Sequence, residues 1–270
     1  DEPIPMPEFL QLLPPEEARA LLFSNLPTQK TNREKIETAL SLGRVIAEDI
    51  FAPHSLPEFL RSTVDGYAVR ARDTFGASDS MPSYLTLLDE IPMGSAPSQS
   101  IGSGQCGLIH TGGMLPPGAD AVVMLENTQV ALGGNHPTSG SDIEIFRAVA
   151  DGENIIQIGE DVKSGSVILS GGCRIRPAEV GGLMALGITQ ISVAVKPKVG
   201  LISSGDEIID PFKQTQLGQV RDINAYTLAS LVTKTGGEAI LYGIVPDVRS
   251  ELESVARRAL NECDVVVITA

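Results

Sequence analysis

The spacing of apolar and polar positions changes style along the chain, and each change predicts a different kind of structure. Near the N-terminus Ala18, Leu21 and Leu22 fall on one helical face after Pro14 and Pro15, residues that suit a first helical turn. The spacing predicts a helix from Glu16 to Leu26, stopped by Pro27. A second helix is expected from Thr31 through Ile36, Ala39 and Leu40 to Gly43, with Thr31 as its cap and Glu34 placed as in a capping box. Val45 to Ile50 then reads as a strand.

From about Leu56 to Ala150 the apolar runs shorten to residues 67–69, 84–88, 107–110, 121–125 and 143–146, separated by Gly, Pro, Ser and Asn clusters. That is an all-β signature, either a small barrel or a sandwich, with Gly133 to Pro137 as a loose hairpin tip. Residues 151–195 return to a mixed pattern: turns, a strand at 167–169, a short helix from Pro177 to near Gly187, and a strand at 191–195. We therefore expect the β-rich block to be inserted into one domain built from both flanks.

Beyond Lys196 the pattern becomes regular. Strands at 199–203, 239–243 and 264–269 alternate with helices at 224–234 and 248–261, and Gly236-Gly237 closes the first helix. Such alternation means βαβ units and a parallel sheet. Ligands of open parallel sheets bind beyond the carboxyl ends of the strands. Two ends stand out, Ser203-Ser204-Gly205-Asp206-Glu207 and Val245-Pro246-Asp247. Asp206, Glu207 and Asp247 can converge on one rim, and grouped hard oxygens suit magnesium, which takes one or two carboxylates plus substrate phosphates. Ser203, Ser204 and the Gly205 amide offer hydrogen bonds to an oxyanion. The same residues can equally cap turns and helices.

The densest polar stretch lies earlier. Pro57 imposes an extended entry, then Arg61, Ser62, Thr63 and Asp65 crowd into five positions before Gly66 and a strand-like run from Tyr67. This arrangement either holds a carboxylate toward a ligand or forms a hairpin turn whose Asp and Ser bond their own backbone. Thr111-Gly112-Gly113 either bares backbone N–H groups to an anion or forms a plain β-turn. Glu160-Asp161 with Lys163 can bind a ligand or pair on the surface.

Composition narrows the picture by exclusion. The 270 residues suit two or three domains, with 42% hydrophobic and 20% charged residues. A net charge of -14, from 34 acidic and 20 basic residues, argues against a duplex nucleic-acid binder. Cys106, Cys173 and Cys263 have no paired spacing, and His54, His110 and His136 are equally scattered. Neither a disulfide framework nor a zinc or histidine site is supported, and a reducing compartment is expected. No apolar run approaches the ~20 residues of a membrane span, and the N-terminus lacks a signal-peptide pattern, so the cytoplasm is expected. Neither a P-loop nor a dinucleotide fingerprint occurs. The chain opens without Met and stops at Ala270, straight after a buried-type strand, which leads us to expect a piece of a longer protein.

The run from Phe59 to Val69 resembles the hallmark of the molybdopterin molybdenumtransferase family, the bacterial MoeA proteins and the gephyrin E domain. Four more stretches match in order: Ile109 to Val123, Gly159 to Val162, Ser203 to Ile208, and Gly218 to Asn224. The resemblance implies an α/β multidomain fold. Residues 1–56 and 151–195 would form an elongated mixed α/β domain that dimerises, and 57–150 an inserted β-rich, barrel-like domain. Residues 196–270 would begin a three-layer α/β molybdopterin-binding domain, and a fourth, small β domain would follow.

The implied reaction hydrolyses adenylylated molybdopterin, releases AMP and inserts molybdate into the dithiolene, with Mg2+. Carried across by position, Asp65, Asp161, Glu207 and Asp247 are the implied catalytic carboxylates, and Glu207 and Asp247 the metal ligands. Thr111, Gly112, Ser203, Ser204, Gly205 and Asp206 are the implied substrate-binding residues. The implied partners are a second copy of the chain and an upstream molybdopterin adenylyltransferase, with neither nucleic acid nor membrane. The family's Gly-Gly-Val-Ser-type loop and its later acidic and lysine residues are missing from this sequence, so insertase activity is not expected of this segment alone. The alternative readings are a non-catalytic scaffold, as the gephyrin E domain also binds receptor segments, and a paralogue acting on another nucleotide.

Overall fold

The computed structural model describes residues 13–26, 32–131 and 137–270; Thr31 and most of the hairpin tip expected at 133–137 lie outside them. The chain divides into two compact units, one of residues Ile36–Ile191 and one that joins Ser192–Ala270 to the residues before Ile36.

Helix α1 (Pro15–Asn25) forms where the prolines place it, with Pro at its first turn. The second expected helix does not form. Residues Arg33–Glu37 are instead a strand, β1, followed by a 3-10 turn at Thr38–Leu40. The reason is a tertiary pairing that outweighs helical preference. β1 lies in a two-stranded sheet with the strand at Gln190–Ala194. Thr38 N–H donates to Thr189 O at 2.9 Å, and its hydroxyl to Ile188 O at 2.6 Å.

In the unit spanning 36–191, the two flanks run side by side. Strands β2 (Ile50–Phe51) and β3 (Arg61–Ser62) pair antiparallel with residues 167–169 and 155–156, and bridges at Val45–Arg174 and Leu56–Val162 continue the ribbon. The Leu56–Pro57 peptide between β2 and β3 is cis. The chain then builds β4 (Gly66–Val69), β5 (Ser83–Glu90), β6 (Gln105–Ile109), β7 (Ala121–Met124), β8 (Thr128–Val130) and β9 (Asp142–Ile145). These form one curled six-stranded sheet in the order β7-β4-β6-β5-β9-β8, parallel only between β5 and β6. Strand β4 is buried on both faces. Tyr67 and Val69 pack with Leu85, Cys106, Val123 and Ile145, while Ala68 turns to Ile109, Leu115 and Val122. Gly66 is required by close approach, because a Cβ there would lie 1.9 Å from the Val123 carbonyl oxygen.

The flank returns as β10 (Ile155–Ile156), β11 (Val167–Leu169), α2 (Pro177–Ala185) and β12 (Gln190–Ala194). A capping box opens α2: Glu179 accepts the Arg176 N–H at 2.8 Å and pairs with its guanidinium. That guanidinium holds the Glu179 carboxyl down at about 2.

The second unit carries the regular pattern. Strand β13 (Lys198–Ser204) is followed by the small parallel pair β14 (Ile208–Ile209) and β15 (Val220–Arg221), helix α3 (Asn224–Thr235), β16 (Glu238–Val245), α4 (Arg249–Glu262) and β17 (Val265–Thr269). The sheet order is β16-β13-β17, all parallel, with β13 central. Gly236, at φ 102, closes α3 in the left-handed conformation that favours glycine. Tyr242 is skipped in the β13–β16 register, which leaves Ser204 opposite Val245 at the carboxyl end.

Candidate functional site

Within the 36–191 unit, the antiparallel pairing of β4 with β6 sets Gly66 opposite Ile109, so Asp65 meets the turn that leaves β6. Asp65 Oδ1 accepts the Thr111 N–H at 2.7 Å and the Thr111 hydroxyl at 3.0 Å, joining positions 46 residues apart. Beside them His110 Nδ1 lies 3.8 Å from the same oxygen, while its Nε2 lies 3.0 Å from Glu90 Oε1 at the end of β5. The Thr111 N–H, then its hydroxyl, hold the Asp65 carboxyl below the usual aspartate value; slight burial opposes this, and His110 adds to it. The assembly is a solvent-facing carboxylate with one oxygen clasped.

Of the two readings of Thr111-Gly112-Gly113, the backbone here adopts the β-turn. None of its three N–H groups is open to an anion. Thr111 donates to Asp65, Gly112 to Ser62 O at 2.8 Å, and Gly113 to His110 O at 2.8 Å. Gly112, at φ 83, makes the turn, and the Thr111 hydroxyl is already committed as a donor. Ser62 is buried and closes a local turn with Val64, as in the hairpin alternative. Asp161 is exposed on another turn, its N–H donating to Leu56 O at 3.0 Å. Among the described residues no hydrogen bond joins it to Asp65 or Thr111.

In the second unit the carboxyl ends of β13 and β16 gather hydroxyls and carboxylates. Ser203 is 1% exposed and donates to Asp222 Oδ2 at 2.6 Å; Ser204 is 3% exposed and donates to Asp247 Oδ1 at 2.6 Å. Asp206 Oδ1 accepts the Asp247 N–H at 3.3 Å, which brings two of the expected acids together. The Gly205 N–H points to Val245 O at 3.4 Å, and Gly205, at φ 150, passes close to the Glu207 carboxylate. The serine hydroxyls therefore orient carboxylates here. Glu207 is exposed, and among the described residues its carboxylate accepts no hydrogen bond. No three Asp, Glu, His or Cys side chains among the described residues assemble into a metal cage. The donors fit a magnesium ion held by one or two carboxylates together with a ligand's oxygens.

Three residues of these sites were not singled out from sequence. Asp222 is buried, holds Ser203 and accepts the Ala225 N–H at 3.1 Å in the first turn of α3. An acid just ahead of a helix is a legible capping signal. His110 and Glu90 meet only because β5 and β6 pair in parallel, and no local pattern announces that.

Comparison with known proteins gives consistent results. Residues 13–187 match the MoeA N-terminal region (domain I and II), and residues 200–270 match a probable molybdopterin binding domain. A crystal structure of the molybdopterin biosynthesis MoeA protein from Pyrococcus horikoshii superposes with a TM-score of 0.86 at 40% identity, over 96% of this chain and 66% of that one. The expected mixed α/β fold class agrees with this likeness. A Methanocaldococcus jannaschii protein named for molybdopterin biosynthesis is 35% identical over 96% of this chain and 63% of its own length. The molybdopterin molybdenumtransferase of Bacillus subtilis is 34% identical over 85% of this chain and 52% of its own length. The chain thus spans between about half and two thirds of these relatives. None of its described helices is long and apolar enough to cross a membrane.

Proposed function

This chain belongs to the MoeA family, and on that premise we propose that it acts in molybdenum cofactor biosynthesis as a molybdopterin molybdenumtransferase. In this reading water cleaves the phosphoanhydride of adenylylated molybdopterin, AMP leaves, and molybdate enters the dithiolene. The observation that carries the reading is the clasp of Thr111 on Asp65, two family motifs meeting as one group. With Oδ1 held, Oδ2 is the oxygen that orients a water and takes its proton. Held below the usual aspartate range, Asp65 stays ionised at neutral pH and is a weaker base than a free aspartate, so its contribution is chiefly to orient the water. Thr111 is a positioning residue, since both of its donors point to Asp65.

Ser204 orients Asp247, and Asp206 holds the Asp247 backbone, so the carboxyl ends of β13 and β16 present a set carboxylate beside the exposed Glu207. Magnesium, when bound, would be held by Glu207 and Asp247 and would offset the charge of the phosphate oxygens. Asp161 joins the proposal through its family motif. We extend the reading to a cytoplasmic homodimer of elongated, β-rich and pterin-binding domains, fed by a molybdopterin adenylyltransferase.

The test is AMP release from adenylylated molybdopterin by the full-length protein with molybdate and magnesium. Wild type should release AMP and form cofactor, while Asp65→Ala and Asp247→Ala should fail. A wild-type protein that neither binds nor cleaves this substrate ends the proposal.

A further inference from the structure

We propose that Arg61 binds a tetrahedral oxyanion, a phosphate ester or a free oxyanion such as molybdate, at the edge of the turn that carries Thr111. Arg61 sits on β3 between Ile156, its partner on β10, and Met114, to which it forms a bridge. Residues directly opposite one another across a ladder share a face, so the arginine emerges between two apolar side chains. Phe59, two positions back along the chain, covers it, with the guanidinium carbon 4.8 Å from the ring centroid. Its Nε is buried and has no hydrogen-bond partner.

What sets Arg61 apart is its burial: among the described residues its Nε is the buried side-chain nitrogen left without a hydrogen-bond partner. The chain has 34 acidic residues for 20 basic ones. Arg70, Arg147, Arg176 and Arg257 each pair with a carboxylate. Among the described residues the Arg61 side chain has no hydrogen bond or ion pair. A half-buried charge among apolar groups is costly unless something compensates it. The guanidinium presents a planar fork that grips two oxygens of a phosphate-like anion, and stacking on Phe59 limits the motion lost when it does so.

The location supplies the second argument. Ser62, the next residue, exchanges backbone hydrogen bonds with Gly112 and Gly113, at 2.8 and 3.0 Å. Asp65 grips Thr111 in the same turn. Arg61 and the clasped carboxylate therefore flank one four-residue turn, a cation to bind an anion and a base to act beside it. The competing account is an arginine that buries its stem and leaves its head in water, with no ligand.

The identity of the anion rests on the proposed function; the binding of a tetrahedral oxyanion by Arg61 does not. Calorimetric titration of this chain with AMP, inorganic phosphate and molybdate tests both. The variant Arg61→Met keeps the apolar stem beside Phe59 and removes the fork; Arg61→Lys keeps the charge alone. Wild type should bind at least one anion, Arg61→Met should weaken it roughly tenfold or more, and Arg61→Lys should fall between. Preference for AMP identifies the phosphate of the adenylylated substrate, and preference for molybdate or phosphate a free oxyanion. If Arg61→Met does not fold, Arg61→Lys decides, and unchanged affinity there defeats the fork. Wild type that binds none of the three, or Arg61→Met that binds equally well, overturns the assignment. Oxyanion binding through Arg61 in a protein that never cleaves adenylylated molybdopterin would instead sink the enzymatic reading and leave Arg61 standing.

Discussion

Asp65 and Asp247 are both exposed carboxylates gripped by a hydroxyl, yet the two regions hold them by different means. At Asp65 a backbone N–H and an exposed threonine do the work at a sheet end. At Asp247 the grip comes from Ser204, a buried hydroxyl on the central strand, with Ser203 beside it holding the buried Asp222. The contrast separates two costs. An exposed clasp can be loosened with little harm to the fold, because water replaces what is lost. The buried Ser203–Asp222 pair cannot, because its abandoned partner has no water to turn to.

The largest effect is expected where the Asp65 region meets its own core. Gly66→Ala places a Cβ 1.9 Å from the Val123 carbonyl oxygen, a backbone atom that cannot swing aside. The strands must part, and we expect a loss above about 3 kcal/mol or failure to fold. Urea denaturation followed by far-ultraviolet dichroism measures it. A variant as stable as wild type would show that the β4–β7 pair yields more than its packing suggests.

Next comes the buried pair. Asp222→Ala removes the acceptor of Ser203 and the cap of the Ala225 N–H together. An orphaned buried hydroxyl and a lost cap each cost on the order of 1 kcal/mol or more, so about 2–4 kcal/mol is expected. Ser203→Ala should cost less, about 1–2 kcal/mol, since Asp222 keeps the helix cap. Equal losses in the two variants, in the same denaturation assay, would mean that the cap contributes nothing.

The same contrast explains what could be read from the chain alone. The β13–α3–β16–α4–β17 alternation was legible because each element carries its own period and stop, such as Gly236 after α3. Gly66 was legible as a close approach, and the clasp of Thr111 on Asp65 gives physical form to two motifs. Residues 33–40 were not legible, since their strand depends on a partner more than 150 positions away at 190–194. The hydroxyls of Thr111, Ser203 and Ser204 donate to Asp65, Asp222 and Asp247, partners that are not legible for a related reason. Sequence shows that a hydroxyl is present, but only the fold shows which carboxylate accepts its hydrogen bond.

The smallest effect is the most diagnostic of the exposed clasp. The Thr111 N–H and then its hydroxyl depress the Asp65 carboxyl, with His110 adding to them. A carboxyl depressed in the folded state stabilises it above the unfolded value, and that contribution is lost as pH falls through the folded one. Thr111→Val deletes the hydroxyl and spares the N–H, so the Asp65 titration should move up only part of the way to the ordinary aspartate value. His110→Gln should move it up less. Carboxyl carbon NMR titration reads both shifts, and thermal unfolding at neutral pH should barely change in either variant. The acid limb of AMP release should then rise in step with the Asp65 titration in Thr111→Val. A titration unmoved by Thr111→Val would mean that the backbone N–H alone sets the carboxylate, and Thr111 would lose its positioning role.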